Sequence, residues 1–91
     1  MLAAISDGSA LGLYDAAGKA RVIQGVDADG PRLSLYDAAG KSRAGLTVDA
    51  DGSVLGLRDA EGKTRAAMVL TADGPQLNLC DAAGNPIWSA P

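Results

Sequence analysis

Apolar residues alternate with small or polar residues in short segments along the whole of this chain. Leu11 and Leu13 enclose Gly12, and the same Leu-x-Leu pattern returns three more times. Alternation with a period of two is typical of a β-strand that has one apolar face. The segments between glycine-containing turns run to about six or eight residues, which is ordinary strand length and too short for a helix. The pattern predicts an all-β chain of nine short strands, of which the first and last are partial.

A tandem repeat explains why these segments resemble one another. The heptapeptide Leu-Tyr-Asp-Ala-Ala-Gly-Lys at Leu13–Lys19 returns in three further copies with few changes, 22 residues apart each time. An Asp-Gly pair keeps the same step, beginning at Asp7. Four copies fill residues 1–91 and leave no room for a linker or a second domain. We therefore expect one repeat domain, an antiparallel meander of four 22-residue β-hairpins.

Two kinds of turn separate the expected strands, Asp-Ala-Ala-Gly and Asp-Ala-Asp-Gly. In both, the Asp side chain can accept a hydrogen bond from the backbone two residues on, and the Gly tolerates a positive φ. Both sequences suit a type I turn followed by a left-handed residue, which forms a β-hairpin loop of three residues. We expect this one loop geometry at all of the turns.

The alternation places the larger aliphatic side chains on one face of the sheet. Val22, Gln24 and Val26 share a face in one of the longer segments, whereas Arg21 lies on the other face. An apolar sheet face must be covered, and the sequence predicts no helix that could cover it. We predict that this face packs between chains. The residues expected at that interface are Leu11, Leu13, Leu33, Leu35, Leu55, Leu57, Leu77, Leu79, Val26, Val48 and Leu70.

Two architectures could cover the apolar face. In the one we favour, identical chains pack their Leu faces together around a symmetry axis, as an oligomeric β-prism or a stacked sheet. The alternative is a closed β-barrel with eight strand lanes. Residues 1–4 and 85–91 match the second and first parts of one long strand, so the chain ends suit either architecture. They could complete a ring within one chain or join successive copies head to tail in a filament.

Composition limits the chemistry available to the chain. The sequence has no His and a single Glu, and the one cysteine, Cys80, excludes an internal disulfide and a cysteine-rich zinc site. We therefore predict no catalytic activity and no cofactor. A net charge of −3 with eight Lys and Arg residues argues against nucleic-acid binding. No apolar run approaches the roughly 20 residues of a membrane span, and the first residues lack the features of a secretion signal.

The repeated charged residues have a structural explanation and a functional one. Asp27, Asp29, Asp49 and Asp51 resemble part of a calcium-binding loop, but the bidentate Glu of such a loop is missing. These four are weak metal candidates, and turn formation is the interpretation we favour. The basic residues that follow the turns are Lys19, Lys41, Lys63, Arg21, Arg43 and Arg65. They could bind an anionic polymer or glycan, although we expect charge pairing between neighbouring strands instead.

The three aromatic residues, Tyr14, Tyr36 and Trp88, suggest a second function. Exposed Tyr rings at matching repeat positions could bind sugars. The chain could then be a binding module that recognises a glycan or a protein through its turn-rich edge. We favour packing for the two Tyr side chains, and for Trp88 a role in capping the open end of the sheet.

The units Tyr14–Lys19 and Tyr36–Lys41, both Tyr-Asp-Ala-Ala-Gly-Lys, resemble the tyrosine–aspartate repeats of bacterial Rhs-type wall and toxin-shell proteins. Arg58 and Cys80 replace this Tyr in the later copies, and a Leu-x-Leu precedes each turn, both of which depart from that pattern. The alternation is also similar to the repetitive β shafts of phage tail fibres and trimeric bacterial surface proteins. Either resemblance implies a structural or adhesive component of a bacterium or a virus, and neither implies a functional residue.

The function we expect is that of a structural, self-assembling β-repeat module: a shaft, a spacer or a filament subunit. Its partner would be another copy of itself, in a trimer or a head-to-tail filament, with no nucleic acid and no membrane insertion. Such a shaft would lie outside the cell, on the cell surface or in a virion. The regularity of the copies also fits a designed or consensus-derived repeat chain.

Overall fold

One antiparallel sheet makes up the fold. The computed structural model describes the backbone of residues 2–5 and 8–91 and the side chains from Ser9 onward. The strands are β1 (Leu2–Ile5), β2 (Gly8–Tyr14), β3 (Ala20–Asp27), β4 (Gly30–Tyr36), β5 (Ser42–Asp49), β6 (Gly52–Arg58), β7 (Thr64–Thr71), β8 (Gly74–Cys80) and β9 (Pro86–Ala90). Each strand pairs with the next in chain order. The predicted all-β meander of nine strands is confirmed, and none of the described residues forms a helix long and apolar enough to cross a membrane.

The sheet is open. Strands β1 and β9 lie at its two edges, and within the described residues they do not pair with each other. The register explains this, because opposed residues continue straight across the strands, from Leu11 to Gln24, Leu33, Leu46 and Leu55, without accumulating a stagger. A barrel closes only when its strands tilt and stagger. The closed eight-lane barrel, and with it ring closure by the chain ends, is therefore wrong.

The predicted hairpin loop is confirmed at the Asp-Ala-Ala-Gly turns. In the second of them the Gly40 N–H donates to the Asp37 carbonyl oxygen at 3.0 Å, and the Asp37 N–H donates to the Lys41 carbonyl oxygen at 2.9 Å. Gly40 has a φ of 85°. These bonds enclose a type I turn followed by a left-handed glycine.

The same expectation is wrong at the other kind of turn. Asp27 pairs directly with Gly30, so only Ala28 and Asp29 form the loop. Gly30 belongs to its strand and has a φ of 126° rather than a φ near 85°. The equivalent pairs Asp49–Gly52 and Thr71–Gly74 repeat this geometry. Asp7, at the first turn of this kind, lies outside the described residues.

Candidate functional site

The apolar face is the most extensive candidate surface of the sheet. Directly opposed residues share a face, so the strand register divides the side chains of this face into three rows. The middle row is Leu11, Gln24, Leu33, Leu46, Leu55, Met68, Leu77 and Ala90. The row nearer the Asp-Ala-Ala-Gly turns is Leu13, Val22, Leu35, Ala44, Leu57, Ala66, Leu79 and Trp88. The third row, near the other turns, includes Ser9, Val26, Pro31, Val48, Ser53, Leu70 and Pro75.

These three rows bring together all of the residues predicted for an interface between chains. No ionisable side chain lies in them. Eleven of the fourteen large hydrophobic residues that are exposed in the described part of the chain belong to this face, among them Leu57 at 49% and Met68 at 55%. The three on the opposite face are Tyr14, Val54 and Ile87. The face is therefore continuous, uncharged and open to water.

The chain does not cover this face with any part that the structure describes. No described residue is fully buried, so the sheet has no core of its own. The molecule measures 40 × 31 × 13 Å, and its shortest dimension is the thickness of one layer. Its accessible surface of 6276 Å² exceeds by about 1,400 Å² that of a typical folded monomer of the same mass, roughly 4,900 Å². Exposed apolar patches on soluble monomers rarely exceed a few hundred Å².

Two shallow hollows lie on the apolar face. One, of about 380 Å³, is lined by Val26, Pro31 and Leu33 together with their neighbours. The other, of about 290 Å³, is lined by Leu55, Met68 and adjoining residues. Leu46 borders both hollows, so they adjoin each other near the middle of the sheet. Their lining is mostly apolar, with Ser9, Gln24 and Arg32 also bordering the first hollow, and it suits a hydrophobic side chain.

The edge formed by the Asp-Ala-Ala-Gly turns and their Asp-Ala-Glu-Gly variant carries a repeated polar network. Its four turn aspartates are Asp15, Asp37, Asp59 and Asp81. In each, one carboxylate oxygen accepts two backbone N–H groups, as Asp37 Oδ1 does from Ala39 at 2.9 Å and from Lys41 at 3.0 Å. The bond from Lys41 and its equivalents is the main reason why the pKa of each turn aspartate lies below the ordinary 3.8.

Arginine side chains join each of these hairpins to the next one. Arg43 is the extra residue of a β-bulge, because Leu35 pairs with Ala44 but Tyr36 pairs with Ser42. Its Nη1 lies 3.3 Å from Asp37 Oδ2 in the same hairpin, and its Nε donates to the Arg58 carbonyl oxygen in the next hairpin at 2.9 Å. Arg21 and Arg65 repeat both contacts.

Lysine side chains make a second link between successive turns. Lys19, Lys41 and Lys63 donate from Nζ to the carbonyl oxygens of Ala38, Ala60 and Ala82 at 3.1, 2.7 and 2.9 Å. The expected charge pairing between neighbouring strands is confirmed for the arginines, each of which pairs with the aspartate of its own hairpin, and Lys63 Nζ lies 3.9 Å from Glu61 Oε2. The bonds to backbone carbonyls were not expected, and the 22-residue spacing of both basic residues was the signal for them. The basic row is thus engaged in hydrogen bonds and ion pairs within the sheet.

The weak metal candidates lie at the opposite edge. Asp27 Oδ1 accepts the Asp29 N–H at 2.9 Å, and its Oδ2 lies 3.1 Å from Arg32 Nη1. Asp49 Oδ1 accepts the Asp51 N–H at 2.8 Å. Within the part of the chain that the structure describes, no three acidic, His or Cys side chains come together as a metal site would require. The geometry at Asp27 and Asp49 is that of a side chain closing its own turn.

The aromatic residues do not form a common site. Tyr14 is 63% exposed on the opposite face, where its ring lies over Gly12. Tyr36 is half-buried, and the half-buried Cys80 occupies the equivalent position two repeats later. Trp88 lies on the apolar face of the last strand and is opposed to Leu79. Trp88 thus extends the apolar face to the edge of the sheet.

Comparison with known proteins adds no relationship. No protein-family model matches the chain, and no curated protein matches it significantly. The similarity to tyrosine–aspartate repeats and to β shafts therefore stays a prediction, and function has to be argued from the surfaces described above.

Proposed function

We propose that this protein is a structural β-repeat module that assembles with copies of itself through its apolar face and has no catalytic role. The observation that carries the proposal is the uncharged, exposed apolar face on a sheet without a core of its own. Burying apolar surface contributes about 25 cal/mol per Å². Covering this face would therefore add stabilisation that the single sheet lacks.

The polar features of the chain support a structural role. Hydrogen bonds and ion pairs within the sheet engage the turn aspartates and the basic residues that follow the turns. The aspartate bonds recur at all four turns of this kind, and the lysine and arginine links at the first three. This near-regular repetition, with Asn85 and Ile87 replacing the basic residues in the last copy, favours a structural role over a single binding site.

The test is the molar mass in solution, measured by light scattering after size-exclusion chromatography over a hundred-fold range of concentration. We expect an assembly of two or more chains. Leu35→Asp, which places a charge on the apolar face, should reduce it to a 9.1 kDa monomer. Val54→Asp, on the opposite face where Val54 is 38% exposed, is the matched control and should leave the mass unchanged. A monomer at every concentration, or equal effects of the two substitutions, would contradict the proposal.

A further inference from the structure

The row nearest the Asp-Ala-Ala-Gly turns alternates large and small side chains. From β4 to β8 it reads Leu35, Ala44, Leu57, Ala66 and Leu79, so a leucine on each short strand is followed by an alanine on each long strand. Leu35, Leu57 and Leu79 are 41%, 49% and 37% exposed. The row is therefore a line of protruding leucines separated by gaps over the alanines, and such a surface is complementary to a copy of itself displaced by one strand.

We infer that two copies of this chain pack face to face, with Leu35 and Leu57 of this row lying in the alanine gaps of the partner; the inference rests on the proposed self-assembly. Consider a two-fold axis that lies midway between the two sheets and runs parallel to the strands, between β5 and β6. It places the same row of both copies opposite each other, with the strands of the partner in reverse order. It sets β4 against β7 and β5 against β6. Leu35 then meets Ala66 of the partner copy, and Ala44 meets Leu57. Outside this central part of the row, Leu79 meets Val22 and Leu13 meets Trp88.

The same axis gives the other rows of the face room to pack. In the middle row Leu33 is set against Met68 and Leu46 against Leu55, so large side chains meet there instead of alternating. These four residues line the two hollows of the apolar face. The hollows supply the space that the alanines supply in the first row. All the strands from β2 to β9 find an opposing strand in this arrangement.

The area and the depth of the face fit a pair of sheets. With long dimensions of 40 and 31 Å, the outline of the sheet is about 1,200 Å², and a stable interface buries roughly 800 Å² from each partner. Stacked sheets lie about 10 Å apart, so each face reaches about 5 Å to the midplane. In a trimer whose strands form the three sides of a triangle, each about 26 Å long, every sheet would lie about 7–8 Å from the three-fold axis. A leucine side chain spans the first distance and not the second, which favours the pair over the predicted trimer.

A double-mutant cycle between Leu35 and Ala66 tests this packing. The two residues lie on β4 and β7, which are three strand spacings or about 14 Å apart in one sheet. Coupling between them must therefore arise across the interface. We expect Ala66→Leu to fill the gap and raise the dimer dissociation constant at least about ten-fold, and Leu35→Ala to raise it about 30-fold. The double variant L35A/A66L exchanges knob and gap and should return to within about three-fold of the wild type.

Two control variants separate this inference from general stickiness. Ala67→Leu adds the same volume on the opposite face and should leave the dissociation constant unchanged. In L79A/A66L the leucine is removed from Leu79, which neighbours Ala66 in the same sheet, and not from the residue opposite Ala66 in the partner. The dissociation constant should therefore stay at least about ten-fold higher than in the wild type. Sedimentation velocity across a concentration series gives all these constants, and circular dichroism confirms that each variant retains its strands.

The outcomes distinguish the packing mode from the proposed function. If Ala66→Leu leaves association unchanged or strengthens it while Leu35→Asp abolishes it, the chains assemble through this face without the alternating fit, and the inference is overturned. A trimer mass or rods that lengthen with concentration would also overturn it and leave self-assembly standing. If the wild type is a monomer, both the inference and the proposed function fail.

Discussion

Removing one exposed leucine from the apolar face should weaken assembly by an amount that the structure allows to be calculated. Leu57 is 49% exposed in the single sheet. Burying a whole leucine side chain contributes roughly 1.5–3 kcal/mol, so burying the exposed half contributes about 1 kcal/mol. A symmetric pair contains this residue twice, and Leu57→Ala therefore costs about 2 kcal/mol of association free energy. Because 1.4 kcal/mol corresponds to a factor of ten, we expect the dissociation constant to rise roughly 30-fold.

The assay for this prediction is sedimentation velocity at concentrations on both sides of the wild-type dissociation constant. Val54→Ala is the matched control, because Val54 lies on the same strand, faces the other way and is 38% exposed. Its dissociation constant should stay within about two-fold of the wild type. Equal weakening by Leu57→Ala and Val54→Ala would refute the reasoning, because the loss would then come from a less stable sheet and not from the interface.

Three further predictions concern the sheet itself. Gly52→Ala should lower the free energy of unfolding about twice as much as Gly62→Ala, for which about 1–2 kcal/mol is expected from positive φ alone. At Gly52 φ is 146° and a Cβ would overlap the Leu70 carbonyl oxygen, whereas nothing lies near a Cβ at Gly62. Equal losses in urea titrations would contradict this prediction. The turn aspartates have lowered pKa values in the folded sheet, so their contribution to stability is present above about pH 4 and is lost as the pH falls further. A chain with Asn at all four positions should therefore show a smaller drop in its urea midpoint between pH 5 and pH 2.5 than the wild type. Parallel pH profiles of the two chains would contradict this prediction. Tyr14→Ser should leave the molar mass of the assembly unchanged by light scattering, since Tyr14 lies on the opposite face, and dissociation would show that this face also contributes.

Much of the fold followed from the sequence because every copy of the repeat carries the same local information. The Leu-x-Leu alternation gave the strand faces, and the Asp-Ala-Ala-Gly segments gave hairpin loops that the bonds at Asp37 and Gly40 confirm. The other turns could not be predicted in the same way. At Gly30 a glycine with positive φ belongs to the strand and not to the loop, and local sequence does not distinguish these two uses of glycine.

The candidate surface was only partly predictable. The residues predicted for an interface share one face as expected, since a period of two fixes the face of every strand residue. The alternation of Leu35, Ala44, Leu57 and Ala66 across strands depends on register, which the bulges at Arg43 and Arg65 adjust by one residue. The links from lysine and arginine to backbone carbonyls likewise join residues 15 to 19 positions apart. Such contacts become visible only when neighbouring hairpins are placed side by side.

The most direct test of the central claim, that the apolar face is buried between copies of this chain, is sedimentation equilibrium of the unmodified protein over a hundred-fold range of concentration. We predict a mass of twice the 9.1 kDa chain that falls towards the monomer on dilution. We also predict that the fluorescence of Trp88, which is 50% exposed on that face in the single sheet, shifts to longer wavelength as the pair dissociates. A mass of 9.1 kDa at every concentration, with an unchanging Trp88 spectrum, would contradict the claim.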